Sequence, residues 1–105
     1  MSLVDNVNEI VEIINRIVDT KIIYIFGSYA RGDQTKDSDI DIYIVAKDIN
    51  GRIIEKLTEI RTALISIIDK PVDILLSTES IFEERKNYKS SIERIVEKEG
   101  VVIYA

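Results

Sequence analysis

The sequence predicts an α/β (α+β) domain in which helices pack on a small mixed β-sheet of three or four strands. Two long segments carry apolar residues at helical spacing, and short runs rich in β-branched residues lie between and after them. Polar turns separate these segments. The length of 105 residues predicts one domain, residues 1–105, with enough apolar surface for a single core.

The first half of the chain is predicted to form one helix and two strands. Residues 3–19 show helical spacing of apolar side chains, which predicts an amphipathic helix packed on a sheet. Residues 21–26 form an apolar, β-branched run that ends at Gly27, which is typical of a buried strand. Residues 39–46 alternate and then become wholly apolar, as expected for a central strand before a turn at 47–51.

The next part is predicted to form a second long helix and a third strand. Apolar residues recur at helical spacing over residues 52–69. Pro71 ends this helix, because the residue before a proline disfavours the α conformation. The apolar run at residues 72–76 predicts the third strand.

Two capping-box patterns mark the last part of the chain. They pair Ser80 with Glu83 and Ser90 with Glu93. The second predicts a helix that ends at Gly100 and has three apolar residues facing inward, namely Ile92, Ile95 and Val96. Residues 101–104 predict an edge strand.

Composition excludes several kinds of chemistry. The sequence has neither cysteine nor histidine, so acid–base or metal chemistry has to use carboxylates, Lys, Tyr or hydroxyl groups. The net charge of −5 and the absence of a run of Lys or Arg argue against duplex DNA as a partner. No apolar stretch reaches the roughly 20 residues that span a bilayer, and the start lacks a basic signal-peptide region. A cytoplasmic location with no membrane association is therefore expected.

Asp39 and Asp41 are the first candidate metal ligands. Residues two apart in a strand project from the same face, so these two carboxylates should point to one place. Two like charges at that distance repel each other, and a divalent cation between them removes the repulsion. Carboxylate oxygens suit Mg²⁺. The alternative is a solvated strand end with two exposed acids and no function.

Gly27 and Ser28 form a candidate phosphate-binding turn. A strand that ends in Gly-Ser and enters a short helix leaves backbone N–H groups available to an anion. The Ser28 hydroxyl can also donate to a phosphate oxygen. The alternative is an ordinary turn with Ser28 as the helix N-cap. The combination of Gly-Ser, ten residues and Asp-x-Asp at this spacing is a much stronger signal than either element alone.

These residues resemble the nucleotidyltransferase superfamily that includes DNA polymerase β, and most closely its minimal (MNT) branch. The matching residues are Gly27 and Ser28, Arg31-Gly32, and Ser38-Asp39-Ile40-Asp41. The resemblance implies that the Gly-Ser turn holds a triphosphate, and that Asp39, Asp41 and a later carboxylate are catalytic and bind Mg²⁺, with two ions expected. It also implies ATP as the substrate.

Asp73 is in the position that matches the third carboxylate. An acid between Val72 and Ile74 in an apolar strand is rarely buried without a partner, so it either serves a site, lies at an exposed strand start or pairs with Arg or Lys. Arg31 could add a bidentate contact to phosphate or could be a surface residue paired with Asp33. Lys36 is better explained as a surface residue.

The resemblance also implies a biological role. Stand-alone members of the MNT branch often act as antitoxins that attach AMP to a tyrosine of a HEPN-type ribonuclease toxin. We therefore expect a protein partner of this kind. The partner would complete the active-site cleft, and a second copy of the chain in a homo-oligomer could do the same. Two alternatives stay open: a catalytically inactive module that only masks its partner, and a nucleotidyltransferase acting on a small molecule or an RNA end.

Overall fold

The computed structural model describes residues 6–105, which form a four-stranded sheet with helices on both faces. In chain order the elements are α1 (Val7–Ile17), β1 (Asp19–Phe26), α2 (Ser28–Arg31), β2 (Ile40–Asp48), α3 (Ile53–Ile65), β3 (Val72–Thr78), α4 (Glu79–Arg85), α5 (Ile92–Glu99) and β4 (Val101–Tyr104).

The sheet is mixed, as the sequence predicts. The strand order is β3-β2-β1-β4. Strand β1 is antiparallel to both β2 and β4, whereas β2 and β3 are parallel and are joined through α3. Two parallel strands need a crossover connection, and helix α3, which the apolar spacing predicts, provides it. Strand β4 confirms the predicted edge strand.

The main core lies between the sheet and helices α1 and α3. Its sheet side is formed by alternate residues of the two central strands, Ile23 and Ile25 of β1 with Ile42 and Ile44 of β2. The helices contribute four fully buried side chains: Ile10, Ile14, Ile60 and Leu64. β-branched residues fill a pleated, half-buried surface well, which explains the abundance of Ile in this layer.

A smaller, aromatic core lies on the other face, under α4 and α5. Tyr43 packs edge-on against Phe82, with ring centroids 5.3 Å apart, and Tyr24 stacks on the same ring at 5.8 Å. The Tyr43 hydroxyl donates to Glu93 Oε2 at 2.7 Å and also lies 2.8 Å from Ser77 Oγ. Burial raises the pKa of Tyr43 well above its ordinary value. The hydroxyl therefore stays protonated and keeps this donor.

Helix α3 ends earlier than the sequence predicts. The predicted helix 52–69 extends in the structure only from Ile53 to Ile65. The amides of Ile67 and Ile68 both donate to the carbonyl of Leu64, which closes the helix in a turn. Ile67 and Ile68 still pack against the main core. The apolar spacing therefore correctly indicates that both side chains face the core, although they lie in a turn and not in the helix.

The strands also differ at their ends from the predicted ranges. Strand β1 begins two residues earlier than predicted, and β2 and β3 each continue two residues further, to Asp48 and Thr78. Asp39 lies immediately before β2 rather than within it.

Both predicted capping boxes are wrong in detail. Helix α4 begins at Glu79 after Thr78, so Ser80 lies inside its first turn. The N-cap of α5 is Ser91 rather than Ser90, and its Oγ accepts from the amide of Arg94 at 3.1 Å. Glu93 does not reach back to the cap, because its carboxylate is buried against Tyr43. The structure thus has two helices between β3 and β4.

The inward face of α5 is also different from the predicted one. Val96 is fully buried, as expected, but Ile92 and Ile95 are about two-fifths exposed. Glu93 occupies the inward position instead, since Tyr43 provides a donor for its carboxylate. Gly100 is the C-terminal stop as predicted; a Cβ there would lie 2.4 Å from the Val96 carbonyl oxygen.

Two predictions concern the ends of the chain and the membrane. The predicted first helix, 3–19, is confirmed as α1 over Val7–Ile17, whereas its residues 3–5 lie outside the described residues. Its predicted end is too late, because Val18 is extended and Asp19 begins β1. Among residues 6–105, no helix has both the length and the apolar character that crossing a membrane requires.

Candidate active site

The turn after β1 is built around Gly27. Strand β1 ends at Phe26, Gly27 has φ +74°, and α2 begins at Ser28. The Gly27 carbonyl accepts from the amides of Ala30 and Arg31, both at 3.1 Å, and so closes the first turn of α2. The first N–H groups of a helix have no partner within it. Gly27 is the N-cap, so Ser28 is the first helical residue rather than the cap that the sequence left open.

The pairing of the strands places two of the candidate carboxylates side by side. Asp41 is opposite Phe26 of β1 on one side and Asp73 of β3 on the other. The next residue along each acid's strand, Ile42 and Ile74, points into the main core. Because side chains alternate along a strand, Asp41 and Asp73 both face the opposite side of the sheet.

A polar cleft of about 490 Å³ lies where β1 ends and β2 begins. It is lined by Gly27, Ser28, Arg31, Asp37, Ser38, Asp39 and Asp41. Five of the six residues that the sequence singles out therefore meet in one cleft. Asp39 and Asp41 share it as expected, although Asp39 precedes the strand. Asp73 is on the neighbouring strand, next to Asp41 but outside the lining of the cleft.

Gly27 and Asp41 are in direct contact across the cleft. A Cβ at position 27 would lie 2.2 Å from Asp41 Oδ2, a distance that two such atoms cannot adopt. Position 27 therefore requires glycine for two reasons, its left-handed φ and this close approach. The turn and the carboxylate form one compact unit.

The electrostatics of the cleft centre on Asp41. Partial burial, followed by the negative charges of Asp73 and Asp39, raises the pKa of Asp41 above its ordinary value, and the positive charge of Arg31 acts against this shift. The ionised form of Asp41 is thus held at an energetic cost in the folded protein. A cation placed among these groups would remove that cost.

The carboxylates suit a magnesium ion in chemistry but do not form a closed cage. Within residues 6–105, no three acidic side chains are grouped closely enough to hold a metal ion together. Asp39 and Asp41, which share the cleft, supply the one or two carboxylates that Mg²⁺ ordinarily takes from a protein, with phosphate and water as its other ligands. The assignment of Asp73 to the metal stays a prediction.

Arg31 fits both of the readings that the sequence left open. Its Nε lies 3.2 Å from Asp33 Oδ2, and both side chains are more than half exposed. Arg31 also lines the cleft and acts on the pKa of Asp41. An exposed ion pair of this kind is weak, at most about 1 kcal/mol, so a phosphate could replace Asp33 as the partner of Arg31.

The family follows from comparison with known proteins. The sequence profile described as "Nucleotidyltransferase domain" matches residues 7–103. The chain belongs to the nucleotidyltransferase family. Its similarity extends over nearly the whole described structure, so it includes the Gly-Ser turn, Asp39, Asp41 and Asp73.

Two relatives and one solved structure are similar to this nucleotidyltransferase. MJ0604 of Methanocaldococcus jannaschii, named a protein adenylyltransferase, is 37% identical over 84 residues, which are 80% of this chain and 78% of the relative. MntA of Shewanella oneidensis, named protein adenylyltransferase, is 37% identical over 71 residues, 67% of this chain but only 50% of MntA. A crystal structure of a toxin–antitoxin with AMP-PNP gives a TM-score of 0.72 at 27% identity, covering 95% of this chain and 73% of that chain.

Two residues of the cleft received no role from the sequence: Asp37, which was not singled out, and Ser38, which was named only as part of the matching motif. Asp37 and Ser38 line the cleft. The amide of Thr35 donates to Ser38 Oγ at 2.8 Å, and the amide of Asp37 donates to Thr35 Oγ1 at 3.2 Å, which fixes the loop before β2. The sequence pattern could have indicated Asp37, because Asp37, Asp39 and Asp41 occupy every second position.

Gly27→Ala should disrupt the site more than Gly32→Ala does. Gly32 is in the left-handed α region, where Ala costs about 1–2 kcal/mol of backbone strain. Gly27, at φ +74° and ψ −148°, is in a region that is nearly restricted to glycine, where Ala costs about 1–3 kcal/mol. Only Gly27 meets Asp41, whereas a Cβ at Gly32 meets nothing within 4 Å. Urea unfolding should therefore show a further loss of about 1–3 kcal/mol for Gly27→Ala. Equal losses in the two variants would contradict the close contact between Gly27 and Asp41.

Asp41→Asn should make folding more stable at neutral pH. The folded pKa of Asp41 is raised, so the stability that its neutral form provides is present at low pH and is lost as the pH rises through the folded pKa. Removing the charge should raise the free energy of unfolding at pH 7 and change it little below the ordinary value of 3.8. Urea unfolding at pH 3.5 and 7 measures this, with exposed Asp69→Asn as the control. A loss of stability at pH 7 would contradict the proposed repulsion.

Proposed function

We propose that this nucleotidyltransferase transfers AMP from ATP to a tyrosine hydroxyl of a partner HEPN-type toxin and thereby acts as an antitoxin. The observation that carries the proposal is the cleft, in which a glycine–serine turn and paired aspartates meet beside an arginine. The names of the relatives support a protein as the acceptor. The toxin–antitoxin structure with AMP-PNP supports the nucleotide and a toxin as the partner. The HEPN type and the tyrosine acceptor come from the resemblance to the MNT branch.

The turn would hold the triphosphate. The first N–H groups of α2 and the Ser28 hydroxyl are donors at the opening of the cleft, and a helix start attracts anions. Arg31 would leave Asp33 and pair with a phosphate oxygen. Because the turn and both acids line the same cleft, the α-phosphate would be positioned next to Asp39 and Asp41.

The acids would hold Mg²⁺ and handle the proton. Asp39 and Asp41, with Asp73 as the third carboxylate, would bind the two expected ions, which supply charge neutralisation at the phosphates when bound. Asp73 would take the proton from the acceptor hydroxyl, whose oxygen forms a bond to the α-phosphorus. The bond from that phosphorus to the bridging oxygen breaks, and pyrophosphate leaves.

The partner would bring the acceptor to the open side of the cleft. Asp39 and Asp73 are exposed, so a hydroxyl from another protein could reach them without a change of fold. We include in the proposal a single catalytic domain over residues 1–105 and a cytoplasmic location, where ATP and Mg²⁺ are plentiful.

Asp39→Asn and Asp41→Asn should each abolish transfer while the protein stays folded. Each substitution would remove a ligand of the metal that neutralises charge developing at the phosphates, and loss of one such stabilising interaction commonly reduces turnover about 10²–10³-fold. The assay is label transfer from α-³²P-ATP with Mg²⁺ to a purified HEPN-type toxin co-expressed from the same source.

The matched control for these variants is Asp48→Asn. Asp48 is exposed at the far end of the same strand. This variant should keep full transfer. Full activity in either Asp39→Asn or Asp41→Asn would contradict the proposed function.

A further inference from the structure

A second concave region, which we call the β3 groove, lies on the same side of the sheet as the candidate active site. Its volume is about 370 Å³. Its apolar walls come from four different segments and are each 38–42% exposed: Ile53, Leu75, Ile81 and Ile92. Four partly exposed aliphatic side chains around one depression form a surface suited to an apolar partner.

The floor of the groove contains a buried acceptor that lacks a donor. Glu93 is only 6% exposed, and its Oε2 accepts from the Tyr43 hydroxyl at 2.7 Å. Its other oxygen, Oε1, is buried and has no hydrogen-bond partner within residues 6–105. Buried polar atoms of this kind nearly always have a partner in a complete structure. Glu93 also lines the groove, so a small movement of its side chain on binding would bring Oε1 to a bound donor.

Arg85 is the internal group that could satisfy this acceptor. It lines the same groove. It forms no ion pair in the part of the chain that the structure describes, and Glu93 Oε1 is unpaired although Arg85 is close by. In this conformation the acceptor at Glu93 is left without a donor from within residues 6–105.

The groove lies near the candidate active site along β3. Asp73, Leu75 and Ser77 alternate on one face of this strand, and Asp73 is paired with Asp41. Two residues of a strand span about 6.6 Å, so the groove begins one such step from Asp73. β3 is also an edge strand, and in residues 6–105 no strand pairs with its outer side.

An extended polypeptide fits these features better than a small molecule does. A free strand edge offers main-chain hydrogen bonds along its length, and neighbouring pockets select alternate side chains of the added segment. The residue beside Asp73 would present its hydroxyl to the candidate active site. Side chains two and four positions further along the segment would then face Leu75 and the groove floor.

We propose that the β3 groove is the docking site for the polypeptide segment that carries the modified hydroxyl. The segment adds to the edge of β3, places an aliphatic side chain among Leu75, Ile81 and Ile92, and donates a hydrogen bond to Glu93 Oε1. This inference rests on the proposed function and adds to it a sequence rule, in which the aliphatic and donor residues lie two and four positions from the acceptor.

The test uses a phage-displayed library of random dodecapeptides selected on the wild-type protein. Peptides that are enriched are synthesised with a fluorophore, and their binding is measured by anisotropy. Leu75→Asp should weaken binding at least tenfold. Val102→Asp is the matched control, because Val102 is 49% exposed on the opposite edge strand, and it should bind as the wild type does.

Glu93→Gln tests the hydrogen bond separately. The amide oxygen can still accept from Tyr43, but an NH₂ group would then replace Oε1, and a donor facing a donor cannot bond. Peptide binding should fall at least tenfold while the midpoint of thermal unfolding stays close to that of the wild type. Wild-type affinity in Glu93→Gln would overturn the assignment of the donor to Glu93.

The remaining outcomes separate the groove from the proposed function. No enrichment, or equal binding to wild type and Leu75→Asp, would overturn the groove as a peptide site. AMP transfer to peptides that bind Leu75→Asp normally would overturn the groove and leave the proposed function standing. Groove-dependent binding of tyrosine-containing peptides that never receive AMP from ATP and Mg²⁺ would overturn the acceptor assignment together with the proposed function.

Discussion

The pairing register of β2 with its two neighbours is the constraint on which the rest of the structure depends. It places Asp41 between the end of β1 and Asp73 of β3. A shift of one residue would turn Asp41 into the main core and turn Ile42 out of it. The buried Ile residues on the opposite face prevent that shift, since they would lose their apolar surroundings. The apolar core thus fixes the position of the polar site.

The candidate active site contains an unfavourable electrostatic arrangement, and the apolar core supplies the stability that offsets it. Asp41 carries a raised pKa because it is partly buried near two other acids, and Gly27 leaves no room for a side chain beside it. Such a conflict adds nothing to folding stability, but it creates affinity for a cation. The β3 groove also contains a polar group without a partner, because Glu93 Oε1 is buried without a donor. In both places, the unpaired group marks where something should bind.

Periodicity predicted helices that cover a sheet, and the resemblance to nucleotidyltransferases predicted the meeting of the five site residues. Gly27 and Asp41 are far apart in the chain, yet each marks the end of a strand, so their approach could be inferred from the resemblance. The inward position of Glu93 could not be predicted, because it depends on a hydroxyl 50 residues away. The predicted range of helix α3 was too long for a similar reason. Ile67 and Ile68 are partly buried at helical spacing, but they lie in a turn after the helix has ended.

The central claim is that a triphosphate and its magnesium bind between the glycine–serine turn and the paired acids. A crystal structure of the protein with a non-hydrolysable ATP analogue and Mg²⁺ tests this most directly. We expect phosphate oxygens on the amide and hydroxyl of Ser28, and a metal ion coordinated by Asp39 and Asp41. A nucleotide bound elsewhere, or an ion that neither aspartate touches, would contradict the account.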